Sequence, residues 1–189
     1  ILTYRLTKIF IKMEKSLKSS ATTLGLYLAL ILSSFTIIGY AIYLDLFTKW
    51  WFGISQMILV IIFGIVSAVK ARSISGGFIN FKNTFTAFFI TIALGIAIPA
   101  LIGMVIFNFV DPEAASILQE KIINSQLTMM QNFGAPQESI DEAMKQMQAE
   151  ENFFSIGNSI KSIAYQLVGF SVVGLIVAAV VKKEDPNLA

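Results

Sequence analysis

Cysteine and histidine are both absent from this chain of 189 residues. Without them the protein has no disulfide, no thiolate metal ligand, no thiol nucleophile and no imidazole acid or base. Charge is scarce too: 14% of the residues are charged, whereas a soluble domain usually carries about 25%. The net charge of +2 is too small to indicate a nucleic-acid partner. Apolar residues instead make up 56% of the chain, which points to a bilayer as its solvent.

Four long apolar runs account for this excess. They cover residues 22–44, 51–69, 85–110 and 163–181, and none contains Asp, Glu, Lys or Arg. A helix needs about 20 such residues to cross a hydrocarbon core of about 30 Å. Backbone amides in lipid must be paired within the segment, which a helix achieves. We therefore predict an all-α fold, an integral membrane four-helix bundle.

The distribution of basic residues predicts the orientation of this bundle. Ten of the 14 basic residues precede the first run, link the second run to the third, or follow the fourth. Cytoplasmic segments are enriched in Lys and Arg, so we expect both termini in the cytoplasm. Trp50 and Trp51, with Tyr43, lie where an aromatic belt is expected on the other side. The ten residues are Arg5, Lys8, Lys12, Lys15, Lys18, Lys70, Arg72, Lys82, Lys182 and Lys183.

Residues 111–155 differ in composition from the rest, with eight acidic and two basic residues. Asp111 and Pro112 suit the N-cap and the first position of a helix. "GAPQ" breaks that helix, and a second helix is predicted over 136–151. We expect an amphipathic pair, antiparallel or bent, over the outer mouth of the bundle. The predicted apolar faces contain Ala115, Leu118, Ile122, Met129 and Phe133, with Ile123 and Met130 at the edge, and then Ile140, Met144 and Met147.

These features divide the chain into five segments. Residues 1–21 form a basic cytoplasmic N-terminal segment, 22–110 hold spans one to three, 111–162 form an extracytoplasmic helical insert, 163–181 hold span four, and 182–189 form a cytoplasmic tail. Met13 is a candidate start of translation. The alternative for residues 1–12 is a basic amphipathic leader.

Several local patterns predict details of the bundle. "SISGG" predicts a turn in which Gly76 and Gly77 adopt positive φ. Pro99 predicts a kink or a widened turn near Gly95, either as a hinge or as a static bend. Four phenylalanines, at 78, 81, 85 and 88, are spaced as one helical face, for packing, lipid contact or a ligand groove. Small residues four apart allow close helix contact. These pairs are Gly64 and Ala68, Ala93 and Ala97, and Gly174 and Ala178.

The sequence offers little reactive chemistry, and we predict no catalytic, cofactor-binding or metal-binding residues. It contains no Walker loop, nucleophile elbow or zinc-protease motif. The methionines at 129, 130, 144 and 147 lack the spacing and the His or Cys partner of a copper site. Coupled transporters usually have an ionisable group inside a membrane span. No Asp, Glu, Lys or Arg lies inside these spans. The polar candidates within the spans are Ser33, Ser34, Thr36, Gln56, Ser67, Thr91, Asn108, Gln166 and Ser171.

The opening "MEKSLKSSATTLGLYLAL", the stretch "SISGGFINFKNTFTAFF" and the acidic helical insert resemble one family. This is the uncharacterised domain-of-unknown-function family forty-one ninety-nine, and the resemblance runs from Met13 to the C-terminus. It implies a small four-span protein of the bacterial inner membrane, and it implies no activity.

Three functions follow in order of preference. The first is a non-enzymatic scaffold or accessory subunit of an envelope complex. The second is a small oligomeric transporter or channel with a kink at Pro99. The third is a lipid-processing enzyme. The expected partners are the lipid bilayer and either a membrane protein or a second copy, through the small-residue helix faces or the 111–155 helices. No nucleic acid is expected.

Overall fold

A computed structural model describes residues 2–149 and 152–184, with side chains from residue 13 onward. This part of the chain consists of helices joined by short turns and loops, with one isolated β-bridge. Four helical stretches are long and apolar enough to cross a membrane: Met13–Ile42, Trp50–Ile74, Phe81–Val110 and Ile156–Val181. The predicted all-α fold with four span-capable helices is therefore confirmed. Residues 150–151, at the predicted end of the second helix of the insert, and most of the predicted tail lie outside the described residues.

Six α-helices follow one another along the chain. They are α1 (Leu2–Ile42), α2 (Trp50–Ile74), α3 (Phe81–Val105), α4 (Pro112–Asn132), α5 (Gln137–Ala149) and α6 (Ile156–Val181). A short 3₁₀ helix, Leu44–Thr48, joins α1 to α2, and a π-helical turn, Ile106–Val110, extends α3. The membrane helices are longer than the apolar runs that predicted them. In particular, α1 continues without a break through the predicted 1–21 segment.

The bundle has two ends, which we name by what they hold. The terminal side holds the α2–α3 connection and the end of α6, and the arm side holds α4 and α5, together called the arm. α1 and α3 pack along each other, and α3 also contacts α2 and α6, so α3 is the central helix. Leu28, Val60, Phe88 and Ile92 from three helices meet in the main apolar core. α2 and α6 both run from the arm side to the terminal side.

The terminal side contains the turn that "SISGG" predicts. Gly76 and Gly77 have φ of 74° and 92°, which confirms the expected positive values. Ile79 and Lys183 then exchange two backbone hydrogen bonds of 2.8 and 2.9 Å, so the residues after α6 are tied to the start of α3. Because of this extended pairing, α3 begins only at Phe81. The prediction that Phe78 shares a helical face with the other phenylalanines is therefore wrong.

The arm side is organised by Asp111. Its Oδ1 accepts a hydrogen bond of 2.9 Å from the backbone N–H of Ala114, which confirms the predicted N-cap of α4. Its Oδ2 accepts a second one, of 3.0 Å, from the hydroxyl of Tyr40 at the end of α1. Gly134, with φ of 73°, ends α4 where "GAPQ" predicted a break. α5 packs against α4.

The apolar face predicted for α4 is buried only in its first half. Ala115 and Leu118 are buried, and they pack with Phe107 and with side chains of the α1–α2 connection. Met129 and Phe133, predicted on the same face, are 42% and 84% exposed. The second half of the predicted face is therefore not covered by other described residues, and whether it packs on the membrane surface stays a prediction. Ile123, predicted at the edge, is buried instead.

Pro99 lies inside α3, which is helical on both sides of it. The widened turn expected near Gly95–Pro99 is not present there. A separate widened turn lies at Ile106–Val110, where the N–H of Asp111 donates to the carbonyl of Ile106 over 2.8 Å. That five-residue spacing is the signature of a π-helical turn, a feature often found at functional sites. It turns Phe107 and Asn108 toward the start of α6.

Candidate intramembrane site

The terminal half of the bundle is closed by one aromatic side chain. Phe88 of α3 is fully buried and lies between Gly64 of α2 and Gly174 of α6. A Cβ atom at Gly174 would come within 2.7 Å of the Phe88 ring, and one at Gly64 would also overlap it. The small residues at these positions therefore bring both helices into contact with α3, as their spacing predicted. Ala93 and Ala97, the third predicted pair, are only half-buried.

A polar layer lies next to this contact. Thr91 Oγ1 is 2.9 Å from the carbonyl oxygen of Ala21 in α1 and 2.8 Å from Ser67 Oγ in α2. Ser67 Oγ is in turn 3.0 Å from the carbonyl oxygen of Ala87 in α3. The hydroxyls of Thr91 and Ser67 have two hydrogens for these three oxygen–oxygen contacts. At any moment the two hydrogens therefore cannot form three separate hydrogen bonds. The layer joins α1, α2 and α3 where water is excluded.

Above this layer, toward the arm side, α2 and α6 separate. On α2 one face carries Gly53, Gln56, Val60 and Gly64 in succession. On α6 the equivalent face carries Ser159, Ile163, Gln166, Phe170 and Gly174. Each face has a glycine at the Phe88 level and larger or polar side chains in the next two turns, and Gly53 and Ser159 follow nearest the arm. The two helices therefore meet at Phe88 and leave a gap on the arm side.

The gap is a cleft of about 700 Å³, which we call the α2–α6 cleft. Binding sites for small molecules usually measure roughly 300–1,000 Å³ and combine a mostly apolar lining with a few polar groups. The walls of the cleft include Gln56, Met57 and Val60 of α2 and Ser162, Ile163, Gln166 and Phe170 of α6. Its back is formed by Ile96, Pro99, Ala100 and Gly103 of α3. Its roof is formed by Ile122, Phe153 and Phe154. None of the lining residues is charged.

The roof is fixed by hydrogen bonds from the π-helical turn and from α4. Asn108 Nδ2 donates to the carbonyl oxygen of Phe154 over 2.7 Å and to that of Met104 over 2.9 Å. The backbone N–H of Phe153 donates to Gln119 Oε1 over 3.0 Å. The Phe154 ring lies 4.7 Å from the Phe107 ring. The cleft is therefore covered by aromatic side chains on the side that faces the arm.

The arm is also anchored to the α1–α2 connection. Lys121 Nζ donates to Asp45 Oδ1, and Ser125 Oγ donates to the carbonyl oxygen of Thr48 over 3.3 Å. The hydrogen bond to Asp45, followed by its negative charge, raises the pKa of Lys121 above the usual lysine value. Sequence reasoning missed Asp45, although it is the sole acidic residue between the first two apolar runs.

The polar residues singled out within the spans fall into three groups according to the hydrogen bonds that their side chains make. Ser34, Thr36 and Ser171 donate to carbonyls of their own helices, as serine and threonine hydroxyls within helices commonly do. Ser67, Thr91 and Asn108 join different parts of the chain. The third group is Ser33, Gln56 and Gln166, whose side chains make no hydrogen bond within the described residues. Both glutamines line the α2–α6 cleft.

In the described part of the chain, no group of three His, Cys, Asp or Glu side chains lies close enough to bind a metal ion. Met129 and Met144, two of the four arm methionines, are exposed. Pro99 lines the cleft, so this residue, singled out from the sequence, is at the site. The cleft itself depends on how two helices diverge, which no sequence motif reports.

Four span-capable helices around an uncharged cleft define a multi-pass membrane protein. The family model described as Protein of unknown function (DUF4199) matches residues 23–183. The chain belongs to that family, which confirms the resemblance noted in its sequence. No curated protein and no solved structure matches the chain.

Proposed function

We propose that this protein is a non-enzymatic accessory membrane protein that holds an amphiphilic molecule from the surrounding bilayer in the α2–α6 cleft. The observation that carries the proposal is the cleft itself, of about 700 Å³, between two membrane helices. Its apolar lower part, with Val60, Ile96 and Phe170, suits hydrocarbon chains. Its upper part, with Gln56, Ser162 and Gln166, suits a polar group.

The form of the cleft favours entry from the bilayer. Phe153 and Phe154 cover it on the arm side, and several residues of its walls, such as Met57 and Gln166, are exposed at its lateral opening. Phe88 and the Ser67–Thr91 layer close it on the terminal side. A cleft that ends blindly inside the bundle supports binding rather than conduction through one copy of the chain.

The lining also supports binding rather than catalysis. General acid–base catalysis needs a titratable group within reach of the reacting atom. The cleft offers amides and hydroxyls, and no carboxylate or amine. A role in presenting or sequestering a lipid for other proteins fits these groups, so we propose an accessory role and no enzymatic one.

The arm provides a surface on which such an accessory protein would meet a partner membrane protein. Met129, Phe133 and Met144 are exposed there, while the ion pair of Lys121 with Asp45 links the arm to the α1–α2 connection. Methionine side chains adapt to irregular partner surfaces. If this surface is used, Met129→Gln with Met144→Gln will reduce co-purification of the partner from a mild detergent, while retention of lipid stays unchanged.

Filling the cleft tests the proposed function. Ala100→Trp places a large ring in the cleft, and Gly53→Trp does so from α2, where a side chain meets no atom within 4 Å. The protein is purified in mild detergent, and native mass spectrometry measures bound lipid. We expect lipid adducts on the parent protein and their loss from both variants.

Gly169→Trp is the matched control, because Gly169 also has open space around it, lies on α6 and does not line the cleft. It should retain the parent adducts. Thermal melting in the same detergent shows whether each variant is folded. Adducts of equal abundance on all four proteins would refute the proposed function.

We propose that the membrane is the bacterial cytoplasmic membrane and that both termini face the cytoplasm. The support is the cluster of basic residues on the terminal side, including Lys70, Arg72 and Lys183. Because the chain has no cysteine, single substitutions report sidedness cleanly. An impermeant maleimide should label Thr128→Cys in intact cells and label Ser73→Cys only after lysis. The reverse pattern would overturn this orientation.

A further inference from the structure

The two glutamines of the α2–α6 cleft lie at the same depth in the bundle. Gln56 precedes Gly64 by eight residues, and Gln166 precedes Gly174 by eight residues. Both glycines contact Phe88, and α2 and α6 run in the same direction. At 1.5 Å per residue, each glutamine is about 12 Å above the Phe88 level. The two amides therefore face one cleft from opposite walls at one height.

That height is inside the hydrocarbon layer. Trp50 begins α2, is 67% exposed and belongs at the interface, where tryptophans concentrate. Gln56 follows it by six residues, or about 9 Å along the helix axis. An amide at this depth has no water to bond, and neither glutamine has a protein partner within the described residues. Lipid tails alone would leave both amides without hydrogen bonds.

We infer that Gln56 and Gln166 form a paired-amide site that binds the uncharged hydroxyl or carbonyl group of a neutral lipid. This inference rests on the proposed function, since it names the class of molecule that the cleft holds. A carboxamide both donates and accepts hydrogen bonds, so two of them can hold a hydroxyl or an ester carbonyl. Ser162, on the α6 wall, adds a third group of the same kind.

The lining decides between neutral and charged lipids. A phosphate buried at this depth would need basic side chains to offset the loss of its hydration. The cleft has none. The charged residue nearest to Gln166 in sequence, Lys161, lies on the side of α6 opposite Ile163, because two residues along a helix turn the side chain by about 200°. A lipid without phosphate, whose polar group can descend to the glutamines, is therefore favoured over a phospholipid.

Photo-crosslinking with two matched probes tests this inference. The probes are a diacylglycerol with a diazirine in one acyl chain and a phosphatidylglycerol with the same labelled chain, each in phosphatidylcholine nanodiscs with the full chain. Mass spectrometry locates the labelled peptides. We expect the diacylglycerol to label residues 53–60 and 159–170 more strongly than the phosphatidylglycerol, by about fivefold, the factor that corresponds to roughly one hydrogen bond.

Gln56→Leu and Gln166→Leu should each lower diacylglycerol labelling toward the level of the phosphatidylglycerol. Leucine keeps the apolar bulk, so these variants test the amide rather than the packing. Gln126→Leu, on an exposed part of α4, is the matched control and should leave labelling unchanged. Circular dichroism and melting confirm that each variant retains the parent fold.

Three results would overturn the inference, and each differs from a failure of the proposed function. Equal labelling by both probes that disappears in Ala100→Trp means that the cleft holds lipid without the proposed selectivity. Preference for the phosphatidylglycerol means that charged lipids are recognised. Conversion of a dimer to a monomer by the leucine variants means that the glutamines pair between copies of the chain. Labelling of the cleft that persists in Ala100→Trp refutes the proposed function as well.

Discussion

Phe88 of α3 packs against Gly174 of α6, and a Cβ at Gly174 would come within 2.7 Å of the ring. The same ring fills the notch left by Gly64 of α2. One aromatic side chain thus sets where three membrane helices meet. It thereby sets where the α2–α6 cleft ends.

This contact predicts an asymmetry among glycines of one helix. Gly174→Ala should lower the unfolding temperature in detergent, because the rigid core around Phe88 must move to admit a methyl group. Gly169→Ala should be neutral or slightly stabilising, since no atom lies within 4 Å of its Cβ position and alanine favours helix. Equal effects at the two sites would show that Phe88 does not hold α6.

Removing the ring itself should have a larger effect. Phe88→Ala should reduce the free energy of unfolding by about 3–5 kcal/mol, the usual loss for a buried phenylalanine. The measurement is unfolding by titration of a denaturing detergent, monitored by tryptophan fluorescence. Phe81→Ala is the control, because Phe81 is 38% exposed on the same helix. A loss no greater for Phe88 than for Phe81 would contradict its central place.

Removing a hydroxyl from the layer of Thr91 and Ser67 should lower the free energy of unfolding modestly. Thr91→Val keeps the shape of the side chain and removes the hydrogen bonds to Ala21 and Ser67. Hydrogen bonds between membrane helices average about 0.6 kcal/mol, so we expect a loss of about 1 kcal/mol for the two contacts. Thr86→Val, whose hydroxyl bonds only to its own helix at Lys82, should change stability little. Identical results for the two variants would argue against a role of the layer in joining helices.

Replacing Ser33 with alanine should stabilise the protein. It is buried, and its hydroxyl makes no hydrogen bond within the described residues. Ser33→Ala removes an unsatisfied polar group and should stabilise the protein by about 1 kcal/mol. Ser34→Ala removes a hydroxyl bonded to Leu30 over 2.8 Å and should give no gain. Destabilisation by Ser33→Ala would indicate that its hydroxyl has a partner in the membrane.

The link between the arm and the α1–α2 connection should weaken at alkaline pH. The pKa of Lys121 is raised from 10.5 by Asp45, so the pair stabilises the arm fully below about pH 10.5. That contribution is lost as the pH rises through the raised pKa. Proteolysis between α4 and α5 should therefore accelerate above pH 10.5, and Lys121→Met should make cleavage faster at pH 8 and remove the alkaline step. An unchanged step in Lys121→Met would assign it to another group.

The sequence carries much of the helical architecture. Apolar runs without charge located the membrane helices, and Asp111, Gly76, Gly77 and Gly134 marked caps and turns by well-understood backbone preferences. Phe78 was misplaced because periodicity does not reveal a backbone pairing with Lys183, which is distant in the chain. The exposure of Phe133 could not be predicted in the same way, because amphipathic spacing shows which face of a helix is apolar and not how much of that face another element covers.

The α2–α6 cleft was harder to foresee. Gln56, Gln166 and Pro99 were each visible as unusual residues within apolar runs, yet nothing in their spacing placed them around one space. Their convergence depends on where α2 and α6 touch, and that point is set by Gly64 and Gly174 against Phe88. The positions of Gly64 and Gly174 relative to the larger side chains on the same helical faces indicate where α2 and α6 touch. A search for single motifs does not use this information.

The most direct test is whether the α2–α6 cleft opens to lipid or to water. A nitroxide spin label on Ile163→Cys, unique because the chain has no cysteine, reports from the cleft wall. In nanodiscs, its relaxation should be enhanced strongly by oxygen, which concentrates in lipid, and weakly by a water-soluble nickel chelate. Strong enhancement by the nickel chelate and weak enhancement by oxygen would show an aqueous vestibule and contradict a site that receives its ligand from the bilayer.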